Sequence, residues 1–275
     1  MDITTIILTF NEEKNIAAAI NSIKKLSKDI YVIDSFSTDD TVKIATDLGA
    51  KVIKHKFVNQ AQQFQYALDT IKFKTEWVLR LDADERISEE ASQEIIEKIH
   101  SLDASVNGIV VPFEVTFLGK KLRHGGIYPF KKMILFKHRK AFMEQRHMDE
   151  HILLREGKSV TLKSISKHED YKDLTSWIDK HNKYSSREVL DYLDASNQHD
   201  INQLNRLASF RRTLKYRVYY KIPMSLRAIL YFIYRYIFRL GFLDGRPGLI
   251  FAVLQAFWYR FLVDAKIYES KQLKS

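Results

Sequence analysis

The chain contains no cysteine. Disulfides and thiolate nucleophiles are therefore excluded, and any metal has to be held by oxygen or nitrogen ligands. This suits a reducing, cytoplasmic compartment. Also missing is a basic region followed by an apolar stretch at the start. The chain opens Met1-Asp2-Ile3-Thr4 with an acid and a strand-like run, so no signal peptide is expected. The Gly-x-Gly-x-x-Gly fingerprint is absent too: the first turn reads Thr9-Phe10-Asn11-Glu12, which argues against a dinucleotide site. Acids are missing near the C-terminus, where residues 201–243 hold nine Lys or Arg and no Asp or Glu. The apolar run from Leu249 to Val263 is interrupted by Gln255 and Arg260. It is shorter than the about 20 residues that a spanning helix needs.

What is present supports a globular protein. The 275 residues are 45% hydrophobic, enough to bury a sizeable core in one large domain or two small ones. The net charge of +10 is unevenly placed. From Ile201 onward there are 14 basic and 3 acidic residues, a net of +11, whereas the first 200 residues carry 30 and 31, a net of −1. The first part reads as an ordinary soluble enzyme, and the tail as a segment that meets an anionic partner.

Hydrophobic periodicity alternates strand and helix over the first hundred residues. Strands are expected at Thr4–Thr9, Ile30–Ile33, Lys51–Lys54 and Glu76–Leu81. Helices are expected between them, one capped by Asn11, one begun by Ser37 or Thr38 and ended by Gly49, one over residues 59–70, and one opened by Ser88 and running to about His100. Such a series implies an α/β fold with a mostly parallel central sheet. Polar residues collect just after strand ends, at Asn11, Asp34 and Asp82, where open α/β sheets bind ligands. Beyond residue 107 the rhythm changes. Strands are expected at Ile109–Val115, with Pro112 marking an edge or a bulge, at Met133–Lys137 and at Val160–Ser166, followed by a long helix over Leu174–Leu193. Gly241–Gly248 reads as a turn. The expected organisation is an α/β domain over 1–200, with a first half (1–106) that carries the strand-end polar residues and a second half (107–200), and a basic amphipathic helical tail over 201–275.

Asp82 and Asp84 are two carboxylates separated by one alanine at a strand end. Such a pair can hold a hard divalent ion against a diphosphate, and the ion offsets charge growing on a departing phosphate. Spacing alone equally allows a solvated acidic loop. Asp34 can accept from base or ribose groups or simply form a turn. Arg80, Arg86, His124, Lys131, Lys132, Arg146, His147 and His168 are candidates for diphosphate or acceptor-phosphate binding. The Lys131-Lys132 pair, on a stretch expected to be a mobile loop, is the most plausible. His147 and His151 do not follow the His-Glu-x-x-His order of a zinc peptidase.

Three stretches in order resemble the inverting family 2 glycosyltransferases, which have the GT-A fold. They are Thr9-Phe10-Asn11-Glu12, the run from Val32 to Thr41, and Leu81-Asp82-Ala83-Asp84-Glu85. Met148-Asp149-Glu150, Asn182-Lys183-Tyr184-Ser185 and Gly241-Phe242-Leu243-Asp244-Gly245 further resemble the bacterial branch that extends the lipopolysaccharide core or related surface glycans. The resemblance implies a UDP-sugar donor bound by Thr9, Asn11, Glu12, Asp34 and Asp82, and a Mg²⁺ or Mn²⁺ ion held mainly by Asp84 with Asp82. It also implies transfer with inversion to a hydroxyl of a lipid-linked or lipopolysaccharide-like glycan. Phe36 stands where many relatives have Gly. A carboxylate base must take the proton of the attacking hydroxyl. The resemblance favours Glu150 for that role, with Asp149 as the alternative.

In the tail, Arg227, Tyr231, Arg235 and Arg239 recur at four-residue spacing, with aliphatic residues over much of the remaining circumference. This predicts arginines reaching headgroup phosphates while apolar side chains enter the bilayer surface. The expected location is peripheral, on the inner face of the cell membrane. Packing of a helical hairpin on the same chain, or on another copy in a homo-oligomer, is the alternative. Nucleic acid is not expected, because aliphatic content is high and no RNP-like motif appears. A nucleotidyltransferase and a non-catalytic membrane scaffold are the rival functions. The acidic first loop speaks against the former, and the set Asp34, Asp82, Asp84 and Glu150 against the latter.

Overall fold

The computed structural model describes residues 3–144, 146–148, 150–194 and 218–273, which separate into two compact units. The first holds residues 3–116, 129–144 and 150–172. Its strands and helices run β1 (Ile3–Thr9), α1 (Ile16–Ile23), β2 (Asp29–Asp34), α2 (Thr41–Asp47), β3 (Lys51–Lys54), α3 (Gln60–Thr70), β4 (Trp77–Asp82), β5 (Glu85–Arg86) and α4 (Glu89–Ser101). After β6 (Val106–Phe117) come β8 (Phe130–Lys137), β9 (Ala141–Met143), β10 (Ile152–Leu154), β11 (Lys158–Thr161) and β12 (Ser166–Glu169), while the short β7 (Lys120–Leu122) belongs to the second unit.

The main path of the sheet is β3-β2-β1-β4-β8-β6-β12-β5. The first four strands are parallel, β8 is antiparallel to both its neighbours, and β12 runs parallel to β6, so the central sheet is mixed. Both faces of the first strands are covered. Ile3 and Ile7 join a core with Ile16, Ile20 and Ile95, while Ile6 and Ile33 join Phe64 and Ala67 on the opposite face. That two-sided burial is why β1 carries no charged residue and shows no strict alternation, with isoleucines on both faces and its threonines buried as well.

Several local expectations change. Asn11 does not cap the first helix: α1 follows Asn15, and Asn11 has a positive φ of 54°. The second helix starts at Thr41, because the Ser37 hydroxyl and backbone N–H both donate to Asp34. Pro112 lies on an interior strand. The register on one side of β6 passes from β11, which ends opposite Val110, to β12, which begins opposite Phe113. Pro112 occupies the gap between these partners, where its missing N–H is not required. The expected strand at Val160–Ser166 is split in two by the same gap. Lys131 and Lys132 sit on β8 instead of a loop.

The second unit holds residues 117–128, 146–148, 173–194 and 218–273. It contains α5 (Leu174–Leu193), a helix over Leu226–Ile233 that continues through a π-helical turn at Tyr234–Phe238, and a long helix over Gly241–Gln272. The Gly241–Gly248 stretch is therefore the start of that helix, not a turn. A side chain at Gly248 would stand 2.7 Å from the Gly241 carbonyl oxygen, which accounts for the glycine. Asp244 accepts from the backbone N–H groups of Arg123 and His124 and pairs with His124 Nδ1 at 2.8 Å, pinning the His124-Gly125-Gly126 loop. The helix Gly241–Gln272 is long and apolar enough to cross a bilayer by length and composition, unlike the run Leu249–Val263 alone.

Two arginines of the expected outward stripe, Arg227 and Arg235, are engaged within the unit, whereas Arg239 is exposed. Arg227 is 2% exposed, donates from Nε to both Asp264 oxygens at 2.8 and 2.9 Å, and lies over the rings of Tyr219 and Tyr220. Arg235 donates from Nε to the Gly125 carbonyl at 2.6 Å. Arg260 pairs with the buried Glu188 at 2.7 Å, and Glu188 also accepts from the Tyr259 hydroxyl. Arg227→Gln strands the Asp264 charge in the interior and is expected to cost about 3 kcal/mol of stability. Arg239→Gln, at an exposed position, should stay within about 0.5 kcal/mol. Urea unfolding of the two variants followed by circular dichroism checks the contrast, and equal midpoints would contradict it.

Candidate active site

Parallel register brings the carboxyl ends of three strands together. Thr9 pairs with Asp34, and Leu8 with Asp82, so the loops after β1, β2 and β4 emerge side by side. The first two loops are laced to each other. Asn11 Oδ1 accepts from the Thr38 N–H at 2.9 Å, the Asn11 N–H donates to Ser37 Oγ, and the Glu12 N–H donates to Thr41 Oγ1 at 2.7 Å. Asp34 is fully buried and accepts from Thr9 Oγ1 and from Ser37. Phe36 has a φ of 63°, the left-handed region that glycine occupies without cost, and its ring is exposed beside this loop.

The carboxylates after β4 have different surroundings. Asp82 accepts from the Lys132 ammonium and lies 3.7 Å from Arg80 Nη2. Glu85, buried beneath it, takes Lys132 Nζ at 2.9 Å and the Asp82 N–H at 3.0 Å. Burial pushes the Asp82 carboxyl up, but the Lys132 and Arg80 charges outweigh it and hold it below the ordinary carboxylate range. For Glu85 burial wins and its pKa is raised, despite Lys132. Lys132 is itself raised, because the two carboxylates outweigh its burial. Lys131, its neighbour on β8, points to the opposite face of the strand and is exposed.

Asp84 faces an imidazole: its Oδ2 is 3.4 Å from His168 Nε2 on β12. Nearby, Glu12 is held by Lys172 Nζ at 2.6 Å and by Asn15 Nδ2 at 2.8 Å, and burial raises its pKa in spite of Lys172. Asn15 is fully buried. It also donates to Asp170 and accepts from Arg86 and the Tyr171 N–H, tying the start of α1 to the segment after β12. Arg86 is thus occupied in the frame of the site, with its guanidinium over the Tyr171 ring.

Glu150 reaches the same cluster from far along the chain. Its side chain is 5% exposed, with Oε1 at 4.0 Å from Arg80 Nη2. The Gln60 amide, in the orientation that satisfies both neighbours, donates to Glu150 Oε1 at 3.0 Å and accepts from Arg80 at 2.9 Å. Arg80 therefore stands between Asp82 and Glu150. Asp149 lies outside the described residues. Arg146, His147 and His124 belong to the helical unit: Arg146 pairs with the buried Asp191, and the His147 N–H donates to the same carboxylate at 3.0 Å.

Gln60, Asn15 and Lys172 were not singled out by the sequence. Gln60 follows a helix cap and Asn15 precedes an apolar helix, so each carries only a capping signal. Glu85 was visible as the third acid of Leu81-Asp82-Ala83-Asp84-Glu85, but nothing local distinguishes its burial from the exposure of an ordinary loop acid.

Asp84 and Asp82 are the carboxylates at this strand end that could hold a divalent cation, and their present partners differ. The Asp84–His168 pair offers one hard oxygen and one imidazole nitrogen, whereas Asp82 is engaged by Lys132 and Arg80. No group of three or more His, Asp or Glu placed to hold a metal occurs among the described residues. A two-ligand site of this kind leaves positions for phosphate oxygens and water, as Mg²⁺-type sites commonly do.

The model of glycosyl transferase family 2 matches residues 4–152. An uncharacterized glycosyltransferase of Rickettsia typhi is 29% identical over 97% of this chain and 87% of its own length. A similar protein of Rickettsia felis is 28% identical over 98% and 90%. Among solved structures, the mannosyltransferase PcManGT of Pyrobaculum calidifontis, in complex with GDP-Man and Mn²⁺, superposes with a TM-score of 0.55 at 14% identity. That alignment covers 98% of this chain and 88% of the mannosyltransferase.

Proposed function

The chain belongs to glycosyl transferase family 2, and from that premise we propose that it is a metal-dependent, inverting enzyme moving a sugar from a UDP-sugar to a hydroxyl of a lipid-linked or lipopolysaccharide-like glycan at the inner face of the cell membrane. The observation that carries this reading is the division of labour among carboxylates at adjoining strand ends. Asp82 is neutralised by Lys132, Asp84 is paired with His168, and Glu150 is turned toward Arg80.

In this reading the loops after β1 and β2 hold the nucleoside, with Asp34 keeping the Ser37 turn in shape. Asp84 and His168 would hold a divalent ion, which when bound would supply positive charge to the departing diphosphate. Arg80 and Lys132 offset the Asp82 charge beside it, which lowers the repulsion that a diphosphate would meet there. The acceptor oxygen attacks the anomeric carbon, forming the new C–O bond as the bond to the diphosphate breaks. Its proton passes to a Glu150 oxygen. Gln60 and Arg80 orient that carboxylate. One displacement inverts the anomeric centre.

A panel of UDP- and GDP-sugars, each with Mn²⁺, Mg²⁺ or chelator, tests the reading through released nucleotide. Release from one UDP-sugar, falling at least about tenfold with chelator, is expected. Preference for a GDP-sugar would reassign the donor. Undiminished release in chelator would overturn the metal role.

A further inference from the structure

We propose that the outward face of the C-terminal helices inserts into the headgroup–acyl boundary of an anionic bilayer, with apolar side chains entering and cations at the rim, without crossing it. This rests on the reading above only for the identity of the acceptor; the docking itself is measured without turnover.

The orientation of the helix Leu226–Ile233 carries the inference. Arg227 and Ala228 face inward, leaving Ile229 and Leu230 exposed, and the same face continues through Ile237 at 51% and Phe238 at 73% exposure. Phe242 and Leu243, 53% exposed, extend it onto the long helix. A soluble surface rarely leaves so many neighbouring large apolar side chains in water, and a patch of this kind marks an interaction site.

The charges select the partner. Lys221, Arg239 and Arg246 are exposed on the same stretch. Between residues 218 and 253 the single acid is Asp244, and it is buried against His124. A two-fold pairing of this face with a second copy would set cation against cation with no exposed acid to match. A bilayer surface offers apolar depth and phosphate anions together. Crossing is disfavoured by the charges within the long helix. Arg260 and Asp264 are held laterally by Glu188 and Arg227, so that side of the helix belongs to protein.

Vesicle co-sedimentation of the full chain tests this, with sealed phosphatidylcholine vesicles and with vesicles containing phosphatidylglycerol. Wild type should bind both, the anionic ones at least about tenfold more tightly. High salt should remove that preference and leave apolar binding in place. Ile229→Glu with Ile237→Glu should lower binding to both by at least about tenfold, at unchanged melting temperature and donor hydrolysis. Arg239→Gln with Arg246→Gln should lower only the anionic preference. Absence of binding by folded wild type would overturn the proposal. So would wild-type binding by the double-Glu variant, or a dimer by light scattering that this variant splits. Detergent-only extraction with protease protection of the C-terminal helix would mean that the helix spans. Vesicle binding without any sugar transfer would sink the reaction and leave the surface standing.

Discussion

Asp84→Asn is expected to lower metal-supported nucleotide release by about 10³-fold, or about 4 kcal/mol of transition-state stabilisation. Asparagine keeps the size of the side chain and one acceptor oxygen but removes the charge that, in the proposed mechanism, would hold a cation beside His168. The fold should tolerate the change, because Asp84 stands at a strand end and not in the apolar core. The melting temperature should move by no more than about 3 °C. Titration of Mn²⁺ in the presence of UDP should show the affinity collapsing in parallel. Asp82→Asn is the control: its carboxylate is already committed to Lys132, so the midpoint of the metal titration should stay near wild type even where turnover suffers. Wild-type turnover by a folded Asp84→Asn protein would remove Asp84 from the mechanism.

Glu150→Gln is expected to reduce transfer by about 10²- to 10⁴-fold, the usual worth of a positioned general base. The amide retains a hydrogen-bonding oxygen near Gln60 and Arg80 but cannot accept the hydroxyl proton at neutral pH. Donor binding should therefore persist while the rate of transfer falls. Asp149→Asn provides the comparison. Loss of transfer there, with Glu150→Gln active, would shift the base by one residue. Full activity in both would place the base elsewhere.

Much of this fold was legible because its signals are local. The apolar run before Thr9, the helix near residues 59–70, the cap at Ser88 and the 20-residue helix Leu174–Leu193 all follow from periodicity and capping, which depend on residues a few positions apart. Polar residues at successive strand ends marked the side of the sheet where a ligand site was to be sought, and parallel register then set Thr9 beside Asp34 and Leu8 beside Asp82. What could not be read locally was the pairing of charges. Lys132 meets Asp82 and Glu85 across about fifty residues, and Asn15 meets Asp170 across more than one hundred and fifty.

The tail shows the division most sharply. Its sequence by itself determined that a helix there carries an arginine stripe and an aliphatic stripe, since both follow from helical spacing. Only the tertiary structure decided which stripe faces inward. Periodicity is blind to that choice, and burial of an aliphatic stripe is the ordinary outcome. Here Arg227 meets Asp264, 37 positions away, and Arg235 meets the Gly125 carbonyl, 110 positions away. Partners so placed make the inward turn of Arg227 and Arg235 tolerable, while Ile229, Leu230 and Ile237 stay exposed.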